Sequence, residues 1–384
     1  MKTEKLVIVV HNILGGPLSS NDRHPFKSPK MFICTTIVIG ASAALFVLCM
    51  CDLRRTLYQR DLVLSVIDLL MLLGIAFTVF TIHVSTLIKY LQKPSESILQ
   101  CLDDIDGHMY TLNIGRGSAR NLSLHCIAAF STTIVISVGY LLATVLRIKR
   151  PNALVFAFKT YGLFVIFLMH GLFLVLSYQI LERVRCMVKQ LEKMINTAKR
   201  LQDTRNTATE YVSIRLSREL STLAMVQMQC FRAVNHLNEE CGLPNVTIFG
   251  MFFYVLTAKS FQLFYVCSIE FKLHGFQFTH ILEPIVLIMA VFLYFFASTY
   301  VGELLQRETQ FVINNIHKFE CRHSTVQQRT NQSEFVEQLG NQILHQPLCF
   351  TVMNFFQIDF KFFHLVMASV GTYLIILLQF DFQN

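Results

Sequence analysis

Seven stretches of this chain are apolar for long enough to cross a lipid bilayer. A spanning helix needs about 20 mostly apolar residues, and residues 31–51, 62–84, 124–146, 153–181, 246–267, 280–301 and 362–380 supply that length or nearly so. The first, third and last hold no formal charge, while Asp68, Lys159, Lys259 and Glu283 are the acidic and basic residues of the other four. The pattern predicts an all-α membrane protein of seven transmembrane helices. The short apolar run at 6–10 falls below the roughly 7–15 residues of a secretory core, so no cleaved leader is expected.

Outside these stretches the period changes. Leu181, Val184, Val188, Leu191, Ile195 and Ala198 recur at spacings of three and four, with Arg183, Arg185, Lys189, Glu192, Lys193 and Lys199 on the opposite face. That is an amphipathic seam, so the fourth span is expected to leave the membrane as one continuous helix. The seam suits packing within a subunit and packing between subunits equally well. Further helices are predicted at 210–239, after a polar break at 202–209, and at about 301–317. Residues 324–333 lack apolar periodicity and read as a loop. The apolar stretch 347–360 is too short to span and reads as a helix leading into the last span.

Composition narrows the class. Of 384 residues, 53% are hydrophobic, 34 are Phe and only 15% are charged, against about a quarter charged in soluble domains. A cytosolic enzyme, a disordered chain and a disulfide scaffold are excluded. The eleven cysteines are scattered without a C-x-x-C pair and read as buried thiols. No H-E-x-x-H, P-loop or G-x-S-x-G is present, so no catalytic, metal-binding or cofactor-binding residue is assigned and no enzyme activity is expected.

The net charge of +8 acquires meaning only when sorted by membrane side. Seven spans put the termini on opposite sides, and 23 Lys or Arg fall in segments 1–30, 85–123, 182–243 and 303–350 while the alternate loops hold seven. The excess marks those segments as cytoplasmic, with the C-terminus extracellular. The basic helix 182–200 is then explained by anionic lipid headgroups, and no nucleic-acid partner is implied. This orientation is opposite to that of a G-protein-coupled receptor, the main alternative, and no Asp-Arg-Tyr, N-P-x-x-Y or Trp is present to support that alternative. A receptor of that kind would expose Asn121-Leu122-Ser123 and Asn331-Gln332-Ser333 as glycosylation acceptors. The expected organisation is a cytoplasmic segment 1–30, spans one to six over 31–302 with a cytoplasmic helical extension 182–243, a cytoplasmic linker and lead-in helix 303–361, span seven at 362–380, and an extracellular tail 381–384.

The last span ends Thr372-Tyr373-Leu374-Ile375-Ile376-Leu377-Leu378-Gln379-Phe380. This resembles the insect gustatory receptor family, whose signature is Thr-Tyr, five hydrophobic residues, then Gln-Phe near the end of the seventh span. The preceding run from Phe350 to Asp359 is similar to the short helix that the family places before that span. The resemblance implies a taste receptor acting as a ligand-gated, non-selective cation channel in the plasma membrane, a homo- or hetero-tetramer of related subunits around a pore lined by the seventh span. On that helix His364, Ala368, Thr372, Ile375 or Ile376, and Gln379 share one face. The family pattern implies that Gln379 lines the outer pore with Phe380 beside it, while Tyr373 packs on a neighbouring span. The alternative for Gln379 is a side chain that merely reaches the outer interface.

Ionisable residues within spans are costly and are candidate functional groups. Asp68 and Lys159 each lie about 9 Å below the outer ends of their spans, at a rise of about 1.5 Å per residue. They are placed to meet, either as a structural pair or in a ligand pocket. Tyr140, Tyr161, Gln262, Tyr265 and Glu283 lie at similar depth and would join them in an outer chamber. Phe261 and Phe264 would wall it and Phe292 would floor it, which suits a small, partly apolar tastant. Lys259 lies deeper and is expected to find a backbone carbonyl or to snorkel. The absence of Trp, the best stacking partner for a sugar ring, favours an aversive organic compound or contact cue over the alternative of a sugar.

Overall fold

The computed structural model describes residues 62–91, 98–112, 117–147, 153–203, 209–270, 278–323 and 347–382, with helical positions 40, 43, 44, 46 and 47 in the first predicted span. The segment 1–30, most of the first span, the loop 324–333 and the last two residues lie outside the described residues.

The described chain is helical almost throughout. Its helices are α1 (Leu62–Leu91), α2 (Ile98–Thr111), α3 (Gly117–Arg147), α4 (Ala153–Asp203), α5 (Thr209–Tyr265, closed by a π-turn at Val266–Glu270), α6 (Phe278–His323) and α7 (Phe360–Phe382). Five of them, α1, α4, α5, α6 and α7, are long and apolar enough to cross a membrane, and α3 carries a shorter apolar stretch, Ser131–Val145. The chain is thus a multi-pass helical membrane protein. Apolar residues left exposed on these helices, such as Phe77, Val135, Leu142 and Leu293, are the surface a bilayer would cover.

The lengths explain the second layer. At about 1.5 Å per residue, α4 with 51 residues and α5 with 57 run to about 75 and 85 Å, more than twice the roughly 30 Å hydrocarbon thickness. Both must leave the bilayer. Where a separate helix at 210–239 was expected, α5 instead continues unbroken through Pro244 into the fifth span. The sixth span likewise runs on without a break as α6. The helix α2 was not anticipated; it packs along α5.

The amphipathic seam on α4 turns inward. Leu181, Val184, Val188 and Leu191 are buried within the single chain, so the seam packs inside the subunit. Arg183, expected on the face opposite the seam, is also buried. It forks onto Asp106 of α2, with Nε to Oδ1 at 2.9 Å and Nη2 to Oδ2 at 2.8 Å, and its Nη1 reaches the carbonyl and side chain of Gln179 at 3.1 Å. Arg185 bridges Glu182 of its own helix and Glu308 of α6, at 3.0 and 3.2 Å. Both residues tie α4 to neighbouring helices.

Residues 347–359 form no lead-in helix. They carry a two-stranded hairpin, β1 (Thr351–Val352) against β2 (Phe356–Gln357), with Thr351 opposite Gln357 and Val352 opposite Phe356. Its turn places Met353 and Asn354 at φ of 48° and 59°, a left-handed conformation that asparagine tolerates better than most residues. The Phe355 amide donates to the Val352 carbonyl, and the Ile358 amide to the Phe350 carbonyl, each at 2.9 Å. The reason a helix loses here is outside the segment. Asn238 of α5 donates through Nδ2 to the Cys349 carbonyl and accepts through Oδ1 from the Thr351 amide, both at 3.0 Å. Those backbone groups are held in an extended geometry, with the side-chain amide standing in for a neighbouring strand.

On its other side the hairpin exit meets α6 at Gly302. A methyl group on this glycine would collide with the carbonyl oxygen of Ile358, so the backbones touch directly. The variant Gly302→Ala should therefore lower stability by about 1–3 kcal/mol, the usual cost of overpacking. Thermal unfolding of the detergent-solubilised protein would register the loss as a lower midpoint. Gly250→Ala, at a helical position with open space around it, should leave the midpoint unchanged or raise it.

Candidate functional site

The last helix is the least covered of the five long apolar helices, with 11% of its most apolar stretch buried. Its start is nonetheless firmly held. Asp359 caps it, Oδ1 accepting from the Phe362 amide at 2.9 Å. Phe362 stacks on Phe356 of the hairpin with ring centroids 4.2 Å apart and meets Phe249 of α5 and Phe295 of α6 edge-on at 5.5 Å. Phe363 adds contacts with Phe292, Phe295 and Phe296 at 5.3 to 5.8 Å. Further along, Val370 is buried and Tyr373 lies edge-on to Phe253 of α5 at 5.7 Å.

These contacts fix the rotation of α7. Phe362, Phe363, Val366, Met367 and Val370 face the bundle, whereas Lys361, His364, Ala368, Thr372, Ile375, Ile376 and Gln379 are exposed. Leu365, Tyr373 and Leu377 are exposed as well, so the second half of α7 is bare over most of its circumference, and the small or mildly polar side chains lie within that bare surface. Thr372 turns its hydroxyl back onto the Ala368 carbonyl at 3.0 Å, which masks part of its polarity within the helix. The Phe380 side chain lies outside the described residues.

At the hairpin, burial pushes the Cys349 thiol pKa up. The thiol is therefore protonated at neutral pH and is a packing group, not a nucleophile. Among the described residues no cluster of His, Cys, Asp or Glu has the arrangement to hold a metal ion.

The charged and polar side chains expected to line one outer chamber are distributed among separate contacts. Lys159 Nζ lies 3.1 Å from Asp68, joining α4 to α1. Glu283 accepts from Lys259 at 2.8 Å, and both are almost wholly buried. Lys259 also donates to Gln262 at 2.8 Å, so this lysine neither snorkels nor relies on a backbone carbonyl. Gln262 and Glu283 serve as its counter-groups between α5 and α6. Tyr140 is buried, Tyr265 packs beside Phe261 at 6.4 Å, and Tyr161 reaches His83 of α1, oxygen to Nε2, at 3.4 Å.

Other polar groups that tie the helices together lay beyond the sequence reading. The Thr133 and Tyr294 hydroxyls share a 2.8 Å bond between α3 and α6, and Tyr254 donates to the Ile67 carbonyl at 2.8 Å between α5 and α1. His170 is fully buried among the rings of Phe173, Phe249, Phe252 and Tyr294 at 5.2 to 5.9 Å. Neither its ring nitrogens nor the Asn245 amide makes a well-formed hydrogen bond. A histidine within an apolar span is itself the signal that could have singled out His170 and His83. Thr133, Tyr254 and Asn238 offer no comparable mark.

A bundle of long apolar helices, two of them much longer than a bilayer is thick, defines a multi-pass helical membrane protein. Residues 4–384 match the family described as 7tm chemosensory receptor, and the chain belongs to that family. Among solved structures it is similar to the insect olfactory receptor OR5 from Machilis hrabei, solved with eugenol and without it. The TM-scores are 0.68 and 0.67, at 14% identity over 98% of both chains. The fold is therefore that of an insect chemosensory receptor. No curated protein matches the chain.

The buried Lys259–Glu283 pair gives a direct test of the bundle's electrostatics. Lys259→Met alone should strand a buried carboxylate and cost about 3–5 kcal/mol, while the double variant Lys259→Met/Glu283→Leu should recover most of that loss. Thermal midpoints of the purified proteins, compared as a double-mutant cycle, would measure both effects.

Proposed function

We propose that this protein is a gustatory chemoreceptor acting as a ligand-gated, non-selective cation channel, with four subunits, identical or related, placing their α7 helices around a central pore. The observation that carries the reading is the uncovered face of α7. Ala368, Thr372, Ile375, Ile376 and Gln379 lie on it in the very helix that ends in the Thr-Tyr and Gln-Phe signature. A helix that leaves such a face bare within its own subunit is suited to meet copies of itself. Four such faces make a narrow pathway without a charged ring, closed where Ile375 and Ile376 exclude water and opened by a small outward tilt.

The signature supports taste over smell, and the eugenol complex of the structural relative supports a small organic ligand. The ligand here is an aversive compound or contact cue, sensed in the half of the bundle that carries Asp68, Lys159 and Tyr161. The Lys and Arg distribution favours an N-terminus in the cytoplasm and a C-terminus outside.

Two measurements test this. An epitope tag after Asn384 should stain on intact cells; staining only after permeabilisation, with surface delivery shown independently, would reverse the orientation and remove the channel reading. In cells giving ligand-evoked currents, Gln379→Ala should change conductance or ion selectivity at unchanged surface expression. Thr372→Cys should make those currents sensitive to a charged methanethiosulfonate reagent. Currents unaltered in both variants would show that this face does not line the pathway.

A further inference from the structure

The helices α1 and α4 cross where Gly162 meets Ile75, a contact so close that a methyl group on the glycine would collide with the isoleucine side chain. On either side of that crossing the two helices are joined by a polar pair, Asp68 with Lys159 and His83 with Tyr161. Between the pairs, on the side facing the first predicted span, lies a cavity of about 310 Å³. We propose that this cavity is a binding site for a compact, largely hydrocarbon molecule carrying a single hydrogen-bonding group, such as a phenol or a cyclic alcohol, entering from the bilayer.

Its lining decides the chemistry. Phe46, Phe77, Phe80 and Phe158 supply aromatic surface, Ala76 leaves the room, and His83 is the polar side chain on the wall. Water gains nothing there, because an apolar cavity with one polar partner cannot satisfy its two to four hydrogen bonds. The volume lies at the small end of small-molecule pockets, about 300–1,000 Å³. Aromatic walls favour a ring, which packs edge-on or offset against phenyl groups.

The polar end favours a ligand with one oxygen. The Tyr161 hydroxyl stands 3.4 Å from His83 Nε2, at the long limit of a hydrogen bond, so a ligand hydroxyl at a normal distance from His83 would share or displace a long contact. An acyl chain brings no such group. Access is lateral, since Phe77 and Phe80 are 64% and 51% exposed on the lipid side while Phe158 at the back is buried. Occupancy would hold α1, α4 and the first span apart. Coupling of that change to opening rests on the channel reading above, but binding does not.

The test uses the full chain in lipid nanodiscs and a phenol bearing a small trifluoromethyldiazirine, with labelled peptides located by mass spectrometry. Labelling should saturate, concentrate on residues 73–83 and around Phe158, and be competed by 4-ethylphenol. It should fall about tenfold or more in Ala76→Phe, which fills the cavity, or in Ala43→Phe, which fills it from the facing wall should the first variant fail to fold. In His83→Phe, 4-ethylphenol should lose its advantage over ethylbenzene as a competitor. Labelling that rises linearly with probe, resists competition and persists in both filled variants would reduce the cavity to ordinary lipid-facing surface. Competition by oleic acid but not by 4-ethylphenol would assign it to a lipid chain. Either result overturns the proposal. Saturable labelling in a protein that passes no ligand-evoked current would leave the site standing and remove the channel reading instead.

Discussion

A helix that touches the rest of its chain so sparingly as α7 is positioned chiefly by the way its first turn is held. Within a bilayer, apolar burial gives no hydrophobic gain, because lipid tails are as apolar as the side chains they replace. What remains is close packing and hydrogen bonding, and both are concentrated at one place. Asn238 fixes the backbone before the hairpin, the Gly302 contact fixes the backbone after it, and Asp359 starts the helix. The ring of Phe362 then sits against three others drawn from the hairpin, α5 and α6. Later residues of α7 take their direction from this joint, with Val370 and the Tyr373 contact on Phe253 as further supports.

Charge is used in the same economical way. The pairs Asp68–Lys159, Arg183–Asp106 and Arg185–Glu308 each join two helices, and α4 is a partner in all three. The fourth pair, Lys259–Glu283, does the equivalent for α5 and α6. A lone charge at the almost wholly buried Lys259–Glu283 position would be costly in low dielectric, and in every pair a partner on another helix constrains which helices are neighbours. The bundle thus carries in its ion pairs a record of its own topology.

How much of this was legible in the sequence follows from the range of each interaction. The long apolar helices and the continuation of α4 past the length of a span depend on periodicity along one helix, and these read directly. The hairpin did not, because Phe350 to Phe360 is apolar enough for a helix and the residue that prevents one, Asn238, lies more than a hundred positions away. The outer chamber illustrates a related gap. Equal depth grouped Glu283 and Gln262 with the other candidates, but depth carries no information about which side chain reaches which. The structure spends both on Lys259. Periodicity places Arg183 opposite the seam but does not show its partner Asp106 for the same reason, since α2 itself left no clear periodic mark.

The length of α4 has a mechanical consequence. Lys159 and Tyr161 stand near one end, and Arg183 and Arg185 lie some two dozen residues further on, about 36 Å along an uninterrupted helix. A rigid rod of that kind pivoting at Gly162 would turn a rocking of about 3° into a sideways displacement of about 2 Å at the arginines, by simple leverage over a rise of about 1.5 Å per residue. Because those arginines grip α2 and α6, and α6 meets the hairpin at Gly302, such a rocking at one end of α4 would reach the other end enlarged and directed toward the root of the last helix.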